Sequence, residues 1–296
     1  MANQDAWGKG VFALPEGVTE LEDSAFEGWE NLQTVILPSS LRKIGPRAFL
    51  FCQRLREIVI PEGVTEIGNF AFGCCSILEK IVLPAGLRET GICAFEHCEK
   101  LREIFISEGV PRIGPFAFND CVSLEKLTLP GTLREIGASA FAHCERLREL
   151  VVPEGVVKIG DMAFSGCKSL SQIELPKGVQ TIGTEAFSGC GSLAQLVLPQ
   201  SLKTIGTGAF WGCAGLTSLT IPGETQLTPF YMDDNPFAGC ASLGEIQVDP
   251  ENPYYTVQGG MLFHTFNKEK TTLLTWFGNG EQAVIPAWVK NIADGA

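Results

Sequence analysis

Apolar positions recur along the chain with a period of 23 residues. A typical repeat, residues 55–77, reads LREIVIPEGVTEIGNFAFGCCSI. The shared pattern is L-x-x-[ILV]-x-[ILV]-P-x-x-[VL]-x-x-I-G-x-x-A-F-x-x-C-x-x, with positions counted from 1 to 23. One such repeat cannot bury its own apolar residues, so the pattern predicts a solenoid in which successive repeats stack. The repeats begin at Lys9, Leu32, Leu55, Leu78, Leu101, Leu124, Leu147, Leu170, Leu193 and Leu216.

Each repeat is predicted to contain a short strand, a second short strand and a helical turn. Alternating apolar residues at positions 4 and 6, such as Ile58 and Ile60, are typical of a half-buried strand. Proline at position 7 ends this strand because it has no N–H to donate. Positions 10 and 13 form a second apolar pair, and the glycine at position 14 marks a turn. Ala-Phe at positions 17 and 18, with Cys three residues later, fits the inner face of one helical turn.

Stacking places equivalent side chains in columns through the core. The phenylalanine at position 18 forms one predicted structural column, and the cysteine at position 21 forms another. The phenylalanine column includes Phe49, Phe72, Phe95, Phe118 and Phe141. The cysteine column includes Cys75, Cys98, Cys121, Cys144 and Cys167.

The cysteines are interpreted as buried thiols without disulfides. Parallel side chains that point the same way have poor disulfide geometry, and the total of 11 is odd. The sequence has no C-x-x-C pair, so we expect neither a zinc ribbon nor another metal site. Thiols of this kind suit a reducing compartment or an anaerobic niche.

Composition and charge narrow the possible functions. The chain has 22 basic and 34 acidic residues, for a net charge of -12, which disfavours binding to nucleic acid or to an anionic membrane surface. No apolar run approaches the ~20 residues of a membrane helix, so we expect no membrane insertion. Charges at positions 2 and 3 alternate in sign from repeat to repeat. This alternation predicts ion pairs between repeats, and an electrostatic partner footprint is the alternative.

The motif resembles the BspA-type, or Treponema-type, leucine-rich repeat family over about residues 9–242. The segment DPENPYYTVQGGMLFHTFNKEKTTLLTWF also resembles a hairpin module that is common in that family. The resemblance implies a curved leucine-rich repeat solenoid with a strand-lined face. It also implies a surface-exposed or secreted bacterial protein that acts in adhesion and protein recognition.

Four segments are expected from the pattern. Residues 1–8 form an N-terminal extension without the features of a signal peptide, and residues 9–242 form a solenoid of about ten repeats. Residues 243–279 contain a repeat start and the inserted β-hairpin module, and residues 280–296 start a further, truncated repeat. Ala296 aligns with the alanine of Ala-Phe, so we expect more repeats in the full-length protein.

Candidate partner-binding residues lie where an exposed column varies or the repeat is interrupted. The outward position 5 is predominantly apolar, which favours a recognition stripe with Phe105 as its anchor, although strand propensity alone is the alternative. An insertion after Pro222 adds aromatic residues and Asp233 and Asp234, but the spacing does not favour calcium. His97 and His143, two repeats apart, are too distant to share a metal. The candidate partner-binding residues are Ile36, Val59, Val82, Phe105, Val151, Phe230 and Tyr231.

The favoured function is a non-enzymatic, adhesin-like scaffold that binds protein partners through its strand-lined face. The alternative is a structural spacer within a larger protein, with no ligand on these repeats. The sequence contains no phosphate-binding loop, no H-E-x-x-H and no G-x-S-x-G. We therefore expect neither catalytic residues nor a cofactor, while the resemblance implies a host or bacterial surface protein as the partner.

Overall fold

The structure is a computed structural model that describes residues 11–228, 235–266, 269–277, 284–293 and 296. The chain forms two compact units, Met1–Leu147 and Arg148–Ala296. Each unit is a β-solenoid of short, stacked parallel strands, so the predicted leucine-rich repeat fold class is confirmed. The predicted helical turn is wrong, because none of the described residues lies in a helix.

The described part of the first unit contains eleven strands, two for most repeats. The strands are β1 (Val11–Ala13), β2 (Glu20–Leu21), β3 (Thr34–Ile36), β4 (Lys43–Ile44), β5 (Glu57–Ile58), β6 (Glu66–Ile67), β7 (Lys80–Leu83), β8 (Glu103–Ile106), β9 (Arg112–Ile113), β10 (Lys126–Thr128) and β11 (Glu135–Ile136).

All strand pairs of the first unit are parallel and join equivalent positions of successive repeats. The first strands form the sheets β1-β3-β5 and β7-β8-β10, and the second strands form β2-β4-β6 and the pair β9-β11. Ile81 lies opposite Ile104, and Ile104 lies opposite Leu127, so the register shift equals the repeat length. The outward surface of β1, β3, β5, β7, β8 and β10 is called the strand face below.

The segment at positions 15–21 is a series of tight turns, where the sequence predicts a helical turn. Positions 16 and 20 have positive φ angles, as at Arg47 (+59°) and Phe51 (+60°), which a right-handed helix does not allow. The N–H groups of Arg47, Phe49 and Phe51 donate to carbonyls of the following repeat at 2.7–3.0 Å. Ala48 and Leu50 instead donate to carbonyls three residues earlier. Alternate N–H groups therefore hold one repeat to the next.

This alternation brings the phenylalanine rings into a continuous stack within the first unit. Phe49 and Phe72 are fully buried, with ring centroids 5.1 Å apart and planes 11° apart. Phe72 and Phe95 repeat this arrangement at 5.0 Å and 4°. The rings stack because the hydrogen bonds between repeats place equivalent backbone segments one above the other. Each ring pair adds about 0.5–1.5 kcal/mol to the free energy of unfolding beyond burial alone.

The second unit continues the same pattern and then changes. In its described part the strands are β12 (Glu149–Val151), β13 (Lys158–Ile159), β14 (Gln172–Glu174), β15 (Thr181–Ile182), β16 (Thr204–Ile205), β17 (Ser218–Ile221), β18 (Gln226–Leu227), β19 (Glu245–Val248), β20 (Tyr255–Gln258), β21 (Met261–Phe266), β22 (Glu269–Trp276) and β23 (Asn291–Ile292). β12 pairs with β14, β17 pairs with β19, and β13, β15, β16 and β18 form one parallel sheet.

The hairpin module of the second unit forms a sheet in the order β20-β21-β22-β23. β20, β21 and β22 are antiparallel neighbours, whereas β23 adds in parallel, with Leu273 opposite Ile292. The Tyr255 hydroxyl accepts from the Leu227 N–H at 2.8 Å and donates to the Leu227 carbonyl at 3.1 Å. One side chain thus satisfies both backbone groups of a residue in β18, and burial raises the pKa of Tyr255 to about 12.

The positive φ at position 20 predicts that a glycine variant is more stable than an alanine variant, which is the reverse of the usual order at exposed positions. We expect Phe51→Gly to be more stable than Phe51→Ala by about 0.5–1 kcal/mol, because the left-handed conformation penalises a Cβ more than folding penalises glycine. Gly28, at the equivalent position of an earlier repeat, has a φ of +68° and open space around it. Denaturant unfolding measures both variants.

The matched control for this prediction is Val197, which is exposed and has no positive φ. There Val197→Gly should be less stable than Val197→Ala, since glycine brings only its entropic cost. The same order at both positions would contradict the assigned backbone conformation.

Candidate partner-binding face

The strand face positions one side chain of each repeat outward at position 5. In β7 the residues Lys80, Ile81, Val82 and Leu83 alternate between exposed and buried, as expected for a strand with one face on the core. Val82 lies directly opposite Phe105 on β8, and Phe105 lies opposite Thr128 on β10. Parallel pairing therefore aligns the position 5 side chains of β7, β8 and β10 in one row.

The apolar members of this row are accessible along the first unit. Val59 is 80% exposed, Ile36 is 55% exposed, Phe105 is 43% exposed and Val82 is 38% exposed. Their neighbours on the same strands point into the core: Ile104, beside Phe105, is fully buried. The alternation of side chains along the strand therefore directs these apolar residues to the solvent side of the sheet, and they cannot reach the core.

A shallow depression of about 490 Å³ lies on the strand face between β3 and β5. Ile36 and Val59 supply exposed apolar surface, and Glu57 and Glu62 are the carboxylates that line it. Thr34 and Ser39 are among the polar lining residues. The depression therefore combines an apolar surface with two negative charges.

Most carboxylates around the strand face have a partner on a neighbouring repeat. Glu79 pairs with Arg56 at 3.1 Å, and Glu103 pairs with Lys80 at 2.8 Å. The hydrogen bond from Lys80 is the main cause of the lowered pKa of Glu103. These exposed pairs contribute about 0–1 kcal/mol each, so their main effect is to neutralise the column of charge at positions 2 and 3.

Position 8 carries a second set of carboxylates beside the strand face. Glu108 accepts from the Gly131 N–H at 2.9 Å and from the Thr132 N–H at 3.3 Å. Glu16 accepts from the N–H and hydroxyl of Ser39, each at 3.2 Å, and the backbone bond is the main cause of its lowered pKa. In these repeats the glutamate caps the turn that follows it one repeat later.

Glu57 and Glu62 depart from both arrangements. Within the residues that the structure describes, neither side chain takes part in an ion pair or a hydrogen bond. At position 3 the repeat before Glu57 carries Thr34 instead of a lysine, and Lys80 on the repeat after it pairs with Glu103 at 2.8 Å. These two residues are not among the candidates selected from the sequence, where Thr34 before Glu57 is the visible break in the alternation of charge.

In the second unit the exposed row at position 5 is interrupted by polar residues. Val151 is 65% exposed, but it lies opposite Glu174 on β14. Further along, Thr220 lies opposite Gln247. Val151 and Val197 are exposed apolar residues of this row on the second unit, but Glu174 separates them, unlike the four consecutive apolar residues of the first unit.

The remaining predicted binding residues cannot be placed on this face. Phe230 and Tyr231, with Asp233 and Asp234, lie outside the described residues. His97 approaches Asp120 with 3.8 Å between Nδ1 and Oδ2. No group of three or more potential metal ligands occurs in the described part of the chain, and no helix there is long and apolar enough to cross a membrane.

The cysteines are buried thiols whose chemistry is suppressed by their surroundings. None of the 11 cysteines, all within the described residues, forms a disulfide. Within the first unit, the Sγ of Cys75 donates to the Phe49 carbonyl at 3.3 Å, and Cys98 and Cys121 repeat this contact one repeat later each time. Burial raises the pKa of Cys52 to about 12 and that of Cys75 well above its usual value. Nucleophilic thiolates are therefore disfavoured at neutral pH.

Comparison with known proteins agrees with these features. The 23-residue repeat, the parallel stacked strands and the buried columns define a leucine-rich repeat protein. The model of the BspA type leucine rich repeat region matches residues 19–148 and 134–254 in six copies. The chain therefore belongs to the BspA-type leucine-rich repeat family.

Several solved leucine-rich repeat structures are similar to this chain. A leucine-rich repeat protein of T. pallidum is 31% identical, with 62% of this chain and 78% of that chain covered and a TM-score of 0.45. A leucine rich cell surface protein from Faecalibacterium prausnitzii is 25% identical, with coverage of 81% and 79% and a TM-score of 0.43. A leucine-rich repeat protein from Eubacterium ventriosum is 19% identical, with coverage of 97% and 81% and a TM-score of 0.53, and shares the fold. No curated protein matches the chain.

The buried thiols predict a loss of stability in alkali. Because folding raises the pKa of Cys52 from 9.0 to about 12, the unfolded thiol ionises first, and unfolding releases a proton above pH 9. The contribution of the neutral Cys52 thiol to the free energy of unfolding is thus fully present below pH 9 and is lost as the pH rises towards 12. Each such thiol contributes a slope of up to ~1.4 kcal/mol per pH unit.

Denaturant unfolding of Cys52→Ala between pH 8 and pH 11 tests this origin. The variant should show a shallower alkaline slope than the unchanged protein. The control is Val64→Ala, which also removes buried volume but no titrating group, so its slope should stay the same. Equal slopes for both variants would show that Cys52 is not a source of the alkaline loss.

Proposed function

We propose that this protein is a non-enzymatic, adhesin-like scaffold that binds protein partners through the strand face. The row formed by Ile36, Val59, Val82 and Phe105 carries this proposal, because its side chains are apolar and exposed. Pairing of β7 with β8 holds Val82 and Phe105 in register. Membership in the BspA-type leucine-rich repeat family supports the scaffold. Location at a bacterial surface, with a host or bacterial surface protein as partner, is part of the same proposal.

The physical advantage of this row is its low cost of ordering. Valine and isoleucine have restricted side-chain rotamers, and the strands beneath them are already fixed by pairing with their neighbours. A partner that covers them gains apolar burial while little conformational freedom is lost on this side of the interface. Phe105 adds the largest side chain of the row, and aromatic residues are typical energetic anchors in protein interfaces.

The proposal contains neither a catalytic step nor a cofactor. Burial raises the pKa values of Cys52, Cys75 and Cys93, which makes these thiols poor nucleophiles at neutral pH. The net charge of -12 favours a protein partner over nucleic acid, whose phosphates require clustered basic residues.

A structural role is the second candidate and has its best support in the second unit. There Glu174, Thr220 and Gln247 occupy position 5, where the first unit has apolar side chains. A solvated strand face of this kind suits a spacer. The two functions are compatible if binding is confined to the first unit.

The double variant Val82→Glu/Phe105→Glu tests the proposed face. Partner proteins are captured with the unchanged protein from host and bacterial surface extracts, identified and purified, and their Kd values are measured. We expect the double variant to bind about tenfold or more weakly, because two charges enter the apolar row. Far-UV circular dichroism and thermal unfolding establish that it remains folded.

The matched control is Ile92→Glu/Phe116→Glu, which adds the same charge at two exposed apolar residues on the turn side of the repeats. This control should bind a genuine strand-face partner with the unchanged Kd. A partner that binds both double variants equally well, or that loses affinity for both to the same extent, would contradict the proposal.

A further inference from the structure

We infer that the depression between β3 and β5 binds a lysine or arginine side chain on an extended basic segment of the partner protein. This inference rests on the proposed function and names the chemistry of the partner. The depression has a volume of about 490 Å³ and is open on the strand face. Ile36 and Val59 supply its exposed apolar surface, and Glu57 and Glu62 supply its charge.

The carboxylates of Glu57 and Glu62 do not take part in the pairing that neutralises neighbouring carboxylates. Glu103 is paired with Lys80, and Glu108 accepts two backbone N–H groups. Glu57 and Glu62 have no such partner among the described residues. The depression therefore has two carboxylates without a direct ion-pair partner beside an apolar surface.

The cations beside the depression are engaged elsewhere: Lys80, which follows Glu57 in the position 3 column, pairs with Glu103 at 2.8 Å, and the Arg42 guanidinium lies beside Gly63. The Arg56 Nε donates to Glu79 at 3.1 Å. The Arg42 guanidinium donates to the carbonyls of Ser39 and Leu41 at 2.9 and 2.8 Å. No described cation therefore forms a direct ion pair with Glu57 or Glu62, and a cationic side chain of a partner can do so.

The lining of the depression determines which kind of side chain fits it. A purely apolar side chain would remove water from the carboxylates without compensation, which is costly. Arginine and lysine instead combine an aliphatic stem, which can lie on Ile36 and Val59, with a cationic head that can reach Glu57 or Glu62. Arginine is favoured because its guanidinium forms two parallel hydrogen bonds with a carboxylate. The net charge of -12 also attracts basic partners at long range.

The spacing of the strand face sets where the next contact falls. Phe105 lies two repeats beyond Val59, or about 10 Å at the usual separation of paired strands. An extended segment advances ~3.3 Å per residue, so a basic side chain in the depression places an apolar residue over Phe105 three or four positions away. The inferred recognition pattern is thus a basic residue followed or preceded, at that distance, by an apolar residue.

Synthetic peptides test the inference directly on the full chain. The probe is a peptide with one arginine and one leucine four residues apart in a glycine-serine background. Two further peptides replace arginine with citrulline, which is its neutral isostere, or with glutamate. Isotope-labelled protein reports binding by NMR shifts. We expect shifts centred on Ile36 and Val59, and affinity about tenfold lower for citrulline and lower still for glutamate.

The double variant Glu57→Gln/Glu62→Gln should lose the preference for arginine over citrulline and most of its dependence on salt. The control Glu89→Gln/Glu99→Gln removes the same charge from two exposed residues away from the depression and should retain both. Equal affinity for the arginine and citrulline peptides overturns the inference. So does an arginine preference that survives Glu57→Gln/Glu62→Gln.

The same variant separates this inference from the proposed function. A captured partner that is lost by Val82→Glu/Phe105→Glu but is unaffected by Glu57→Gln/Glu62→Gln keeps the strand face as the binding surface and overturns the basic contact. A partner that is unaffected by either variant overturns both.

Discussion

The backbone hydrogen bonds between successive repeats are the constraint on which both units depend. In the turns, every second N–H donates to the following repeat, as from Phe49 to the Ala71 carbonyl at 2.7 Å. In the strands, parallel pairing joins equivalent residues such as Ile81 and Ile104. A repeat satisfies a large part of its polar backbone through its neighbours, so the repeat length is held constant wherever this stacking continues.

Superposition of equivalent positions then decides which side chains are tolerated in each column. Identical apolar residues gain from it, because Phe72 meets Phe49 and Phe95 in the same geometry on both sides. Identical charges would repel, and Lys80 accordingly faces Glu103. A cysteine fits the narrow space beside the phenylalanine backbone, where its weak S–H donor meets a carbonyl that already accepts one N–H.

The fold class and the stacking followed from the sequence because the period is visible in it, whereas the conformation of the turn did not. Ala-Phe-x-x-Cys has the same spacing on a helix and on a turn with positive φ at positions 16 and 20, so burial alone cannot distinguish them. The missing signal lay in the glycines at position 20, which include Gly28, Gly166, Gly189 and Gly212. The addition of β23 to β22 joins two segments without a shared pattern, which periodicity cannot predict.

The proposed binding surface shows where repetition becomes informative about function. Comparison of equivalent positions in successive repeats selected Ile36, Val59 and Phe105 from the sequence, since position 5 must face outward. It did not select Glu57 and Glu62, because their lack of a direct partner depends on which neighbour each cation pairs with: Lys80, next to Glu57 in its column, binds Glu103 instead. In a solenoid, a charge that matches its column is neutralised by the stack, so its field does not extend far. A charge that has no oppositely charged partner on a neighbouring repeat still attracts ions in the solvent. Next to a pair of exposed apolar residues, such a carboxylate is expected to favour a cation with an aliphatic stem.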